Sequence, residues 1–151
     1  MTLTPKESAL LKDLRGQELL CVEKYENYAR QAKDGQLRSL FRQIAQTEQE
    51  HVNTLDRIVA GAVPQMNTGG GQPQDFPTTE SSDCSEEERQ ADCYLCSDAL
   101  STEKHVSATY NTCIFEFRDT KIRDALNHMQ KEEQQHGEQI YNYMAKQGMY
   151  Q

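Results

Sequence analysis

Glu48 and His51 stand three residues apart, and Glu133 and His136 repeat the spacing. Residues at i and i+3 point the same way from a helix, so each pair can grip one ion together. Two further carboxylates stand upstream of these pairs. The gap from Glu18 to Glu48 is 30 residues, and so is the gap from Glu103 to Glu133. All six residues fall where the apolar stripe of an amphipathic helix should run. Four carboxylates facing one another in a core are strongly unfavourable, because burial penalises each ion and like charges add to it. Two divalent cations remove the difficulty, with two neutral imidazoles completing the shell. A Glu from each of two helices plus Glu-x-x-His from each of two others is the ligand set of dinuclear metal sites in helical bundles. Oxygen and imidazole donors suit Fe, Mn, Co or Zn better than Cu(I). Iron is the expected occupant, with Mn or Zn as alternatives. One Glu-x-x-His alone is more often a solvated helix face; two copies with matched partners carry the reading.

Four helices must position these side chains. The first starts at Thr4-Pro5-Lys6-Glu7, a capping box with Pro at the first helical position. Its inward stripe is Leu11, Leu14, Glu18, Cys21, Tyr25, Tyr28 and Ala32, in alternating steps of three and four. Asp34-Gly35 breaks it, and Leu37, Phe41, Ile44, Glu48, His51, Leu55 and Ile58 mark the second. Residues 61–84 are rich in Gly, Pro, Gln, Thr and Ser without periodicity, and read as a surface linker. Ser85-Glu86-Glu87-Glu88 is a second capping box. The third stripe runs Cys96, Ala99, Glu103, Val106, Tyr110, Cys113, Phe117, and the fourth Ile122, Leu126, Met129, Glu133, His136, Ile140, Tyr143. The spans expected are about 5–33, 35–60, 86–117 and 120–147, in one all-α domain. Short turns make two antiparallel hairpins. A long crossover joining them gives the four-helix bundle of ferritin-like topology.

The halves are copies. A shift of 85 residues lays Glu18, Tyr25, Asp34, Arg38, Glu48 and His51 on Glu103, Tyr110, Asp119, Arg123, Glu133 and His136. Two αα-hairpins related by a pseudo-twofold axis would bring both Glu pairs together at mid-bundle.

Composition narrows the partners. With 151 residues, 36% hydrophobic and no Trp, the chain suits a slim helical bundle. A net charge of −8 argues against a nucleic-acid partner. No apolar run approaches the ~20 residues of a membrane span, and the first residues lack a signal-like apolar run. Five Cys form no evident disulfide framework, so a reduced cytoplasmic protein is expected. Cys93 and Cys96 form a CxxC near the start of the third helix, with Cys84 nine residues before. Inert packing, a disulfide among the three, and a redox or metal role all stay open. Cys21 and Cys113 lie on inward stripes as small apolar fillers. His105 and His128 fall off the ligand stripe and read as surface residues.

The six residues resemble the ligand set of the ferritin-like superfamily, bacterioferritins and rubrerythrins included. The resemblance spans about residues 5–147. It implies that Glu48 and Glu133 bridge two ions, that Glu18 and Glu103 are terminal, and that His51 and His136 bind one ion each. In bacterioferritin-like sites a Tyr follows the first-helix Glu by seven residues, the offset of Tyr25 from Glu18 and of Tyr110 from Glu103. The resemblance implies hydrogen bonds from these hydroxyls to the carboxylates; plain core filling is the alternative. Tyr110-Asn111-Thr112 and the stretch HGEQIYNYMAKQGMY further resemble the CotF-like spore coat proteins of spore-forming bacteria, which implies deposition in the coat and coat-protein partners. Two departures count. There is no four-Cys rubredoxin module, and the chain stops soon after the fourth helix, so a cage is not expected and a homodimer through helical faces is. The expected function is a di-iron protein reacting with O₂ or peroxide, ferroxidase- or peroxidase-like. The alternative is a structural coat protein with a structural or vestigial metal site.

Overall fold

A computed structural model describes residues 2–62 and 84–150. Four helices account for most of them: α1 Pro5–Gln31, α2 Gly35–Val59, α3 Glu86–Glu116 and α4 Thr120–Lys146. Each begins as the local chemistry directs. Thr4 and Ser85 form reciprocal capping boxes with Glu7 and Glu88, and the carboxylates of Asp34 and Asp119 cap α2 and α4. The linker read over 61–85 falls mostly on residues 63–83, outside those described.

The turns between hairpin helices are built twice from the same parts. The Arg38 guanidinium donates to the carbonyls of Ala32 and Lys33, at 3.1 and 2.7 Å. Arg123 does the same to Phe117 and Arg118, at 3.0 and 2.9 Å. Both close helix ends whose last carbonyls lack partners within the helix.

Two buried carboxylates then tie each hairpin to the other's turn. Asp92, near the start of α3, accepts from the backbone N–H groups of Lys33 and Asp34 at 2.8 and 3.0 Å. Its mate Glu7, 85 residues earlier, accepts from the backbone N–H and the guanidinium of Arg118, both at 3.3 Å. These contacts set the topology. The start of α3 lies at the end of α1, and the start of α1 lies at the end of α3. Helix α3 therefore begins at the end where α2 began, the up-down-down-up order of a ferritin-like bundle.

Burial raises the pKa of Glu7, but hydrogen bonds from Thr4 and Arg118 outweigh it and hold the carboxyl below its ordinary value. A depressed pKa adds stability above the ordinary carboxylate range and loses it as pH falls through the folded value. Glu7→Gln should cost about 1–2 kcal/mol at neutral pH through the lost cap and tie. Denaturant melts at neutral and acid pH should show the gap to wild type shrinking on acidification. A gap that does not change with pH would mean the charge contributes nothing.

The apolar core fills both ends. One cluster gathers around Tyr25, Tyr28, Phe41, Ile44, Ala99 and Ile140; the other around Leu11, Leu14, Leu55, Val106, Ile122 and Leu126. Fully burying a side chain of this size stabilises by roughly 1.5–3 kcal/mol. On α2, α3 and α4 the polar intrusions fall where one cluster gives way to the other. Of the stripe residues expected, Tyr143 is only half-buried. Its hydroxyl donates to Asp34 Oδ2 at 2.6 Å, tying α4 to the α1–α2 turn.

Candidate metal centre

The helices bring Glu18, Glu48, His51, Glu103, Glu133 and His136 together at mid-bundle, each no more than 5% exposed. Ligand atoms fall into two groups whose members lie within 4.8 Å of one another: Glu18, Glu48, His51, Glu133 and Glu48, Glu103, Glu133, His136. Glu48 and Glu133 occur in both. The imidazoles lie nearly parallel, centroids 6.3 Å apart, and both turn Nδ1 inward. His51 Nδ1 is 2.8 Å from Glu18 Oε2 and 3.0 Å from Glu133 Oε1. His136 Nδ1 is 2.9 Å from Glu48 Oε1 and 3.5 Å from Glu103 Oε1.

The electrostatics are those of a crowded anionic core. Burial and the charge of Glu133 push the Glu18, Glu48 and Glu103 carboxyls up. Burial works the same way on Glu133, but its interactions with Glu103, His136 and His51 overcome it and hold Glu133 well below the usual range. Burial would lower both imidazoles; the carboxylates around them hold them well above their ordinary value instead. Even so, the protein's own donors do not saturate the cluster. Glu18 Oε1, both oxygens of Glu48, Glu103 Oε2, Glu133 Oε2 and His136 Nδ1 are buried without a hydrogen-bond partner. The close approach of His136 Nδ1 to Glu48 Oε1 is too poorly aligned to be one. Buried polar atoms are nearly always partnered, and six orphans in one cluster are what divalent cations would satisfy. The donors therefore fit two such ions.

The two tyrosines part company. The Tyr25 hydroxyl donates to Glu103 Oε1 at 2.5 Å. The Tyr110 hydroxyl turns to Met129 Sδ at 3.7 Å instead of to Glu18. Position 129 offers a polarizable sulfur where its mate, Ile44, offers none.

Glu132 is a member of the site that the sequence did not reveal. Its Oε1 lies 3.1 Å from His51 Nε2 and 3.3 Å from His128 Nε2. With metal in the cluster, a proton on Nε2 shared with Glu132 would leave the Nδ1 lone pair free for the ion, so Glu132 would set the tautomer of His51. His128, expected at the surface, is half-buried beside it, while His105 is exposed. The repeat gave no warning, because the mate of Glu132 is Thr47. Glu132→Ala should weaken metal binding roughly 10–100-fold with little loss of fold. Competition titration with a chelator measures it, and unchanged affinity would remove Glu132 from the site.

Cys21, Cys93, Cys96 and Cys113 are free thiols. Cys93 and Cys96 lie beyond the first turn of α3, away from the unpaired N–H groups at its start. Burial pushes Cys96 up, does the same to Cys21, and raises Cys113 to about 11. Cys21, Cys96 and Cys113 pack as small apolar residues.

Comparison with known proteins agrees with this architecture. The fold is ferritin-like. It is similar, at TM-score 0.74 and 14% identity over 99% of this chain, to a solved two-domain protein from Anabaena variabilis containing DJ-1/ThiJ/PfpI-like and ferritin-like domains. The chain spans 39% of that protein's length. Residues 91–151 match the Coat F domain, which bears out the resemblance to CotF-like spore coat proteins read from the second half of the sequence. The curated proteins gave no match. No helix among the described residues is long and apolar enough to cross a membrane.

Proposed function

We propose that this protein holds two divalent metal ions, iron foremost, and reacts with O₂ or peroxide in a ferroxidase- or peroxidase-like way. The observation that carries the reading is the set of six orphaned, buried donor atoms on a doubled carboxylate–imidazole cluster. Glu18 and His51 would serve one ion, Glu103 and His136 the other, and Glu48 and Glu133 both. Bound as iron(II), the pair supplies two electrons to the oxidant. The chain's own residues do the rest. The Tyr25 hydroxyl fixes the rotamer of Glu103, and Glu132 fixes the tautomer of His51. The apolar clusters on either side keep bulk water out and strengthen every charge interaction within. Metal analysis on protein purified without chelator or affinity metal tests the reading. About two equivalents per chain, with O₂ or peroxide consumed on ferrous loading, are expected. No metal, and no uptake on anaerobic titration with ferrous iron, would overturn it.

The Coat F match favours a second reading: a structural spore coat protein, in which metal mainly ties the bundle together and coat proteins are the partners. Tight, redox-silent metal would decide for it. Both readings take the protein as a homodimer, and size-exclusion chromatography showing a large assembly would point to storage instead.

A further inference from the structure

Because the hairpins are copies in register, every position on one can be compared with its mate on the other. Another region, away from Glu132 and Met129, also breaks the likeness. Between α3 and α4 a groove of about 540 Å³ runs from the surface to Glu103 and Glu133. Both carboxylates are buried, and Glu103 Oε2 and Glu133 Oε2 lack hydrogen-bond partners. Gly137 and Ser107 line the same groove. A Cβ placed on Gly137 would meet nothing within 4 Å. Glycine inside a helix costs about 1 kcal/mol against alanine. No neighbour crowds this one, so its effect is to leave space.

The other hairpin carries larger side chains at the corresponding positions. The mate of Gly137 is Val52, which is buried, and the mate of Ser107 is Val22. Arg15 and Asp56 form an ion pair there, whereas their mates, Leu100 and Tyr141, line the groove. Tyr150 meets Tyr141 edge-on at its rim, centroids 4.8 Å apart. At these positions one hairpin carries two valines and an ion pair, while the other carries a glycine and a serine in a groove walled by apolar and aromatic side chains.

We propose that this groove binds a small uncharged organic molecule with an aromatic or branched apolar body and a single hydroxyl or hydroperoxyl end, the polar end toward Glu103 and Glu133. Its volume lies within the ~300–1,000 Å³ of ordinary ligand sites. It far exceeds the roughly 30 Å³ share of a water molecule, so O₂ or hydrogen peroxide would leave most of it unused. An anion would meet Glu138 in the wall. A cation would meet Lys104 in the wall, and it gains little from carboxylates already neutralised by metal, the one point at which the ligand class rests on the proposed function.

The test uses 2-phenyl-2-propanol, an inert alcohol of this shape, titrated calorimetrically into the full chain before and after zinc loading, with metal content measured on the same samples. Binding in the millimolar range or tighter is expected. It should weaken at least tenfold in Gly137→Val and in Ser107→Val, which install the residues of the other hairpin. Circular dichroism checks that both variants fold. No binding to wild type overturns the proposal. Equal binding to wild type and to the folded variants places the alcohol elsewhere and also overturns it. Benzylamine binding in place of the alcohol overturns the ligand class. Alcohol binding that depends on Gly137 in a protein that takes up no metal leaves the groove standing and removes the metal reading. Metal uptake without alcohol binding does the reverse.

Discussion

Loading the protein with two divalent ions should raise its melting temperature by roughly 15–30 °C. With each ion at about a thousand times its dissociation constant, mass action adds ~4 kcal/mol per site, and a domain of this size gains ~2–4 °C per kcal/mol. The increment is large because the metal-free fold keeps six buried donor atoms without partners. Glu133→Ala is the sharpest control, since Glu133 belongs to both ligand groups. It should bring metal content to about one ion or fewer and remove at least half of the thermal increment. Calorimetric melts with and without metal, beside elemental analysis, decide it. A wild-type melt indifferent to iron, manganese and zinc would end the metal reading. A variant that keeps the full increment would move the site elsewhere.

The second expectation has the opposite sign in the two states. Glu48→Gln should stabilise the metal-free protein by roughly 1–3 kcal/mol, because both Glu48 oxygens are buried without partners and their desolvation is costly. Burial and the charges of Glu133 and Glu18 already push this carboxyl well up, so folding at neutral pH must carry a proton that the amide does not need. The same substitution removes an anionic ligand from both groups and should abolish most of the stabilisation by metal. A polar core selected for hydrogen bonding alone would behave differently: Glu48→Gln would then destabilise, and metal would not matter. Unfolding curves of the two proteins, each with and without zinc, separate the cases.

The helices and most of the cluster were legible in the sequence because both are periodic and both are doubled. Apolar steps of three and four place Leu11 and Leu14 as directly as they place Glu18, and the 85-residue register repeats each decision. The capping boxes at Thr4 and Ser85 are local chemistry, which the chain carries within four residues. What escaped notice depends on how helices sit against one another. Glu7 is read completely, in one dimension, as the partner of Thr4; its hold on Arg118 needs two helices side by side. Asp92 looks like one more acidic residue in an acidic stretch, yet it fastens the far turn. Glu132 lies beside the stripe, and only the distance between α2 and α4 brings it to His51. Tyr110 shows the limit of the repeat itself. Its hydroxyl turns to Met129, whose mate across the register is Ile44, and away from the carboxylates.

The reciprocal clasps of Glu7 on Arg118 and Asp92 on Lys33 give the two hairpins a two-sided grip. Each hairpin reaches across to the other's turn with the same residue position, as two identical chains would in an isologous pair. The interface therefore has the isologous form of a symmetric homodimer, carried within one chain. The covalent connection supplies proximity, and the described contacts between the hairpins supply recognition. The protein cut between its halves into two separately made peptides should accordingly recombine into the same four-helix unit.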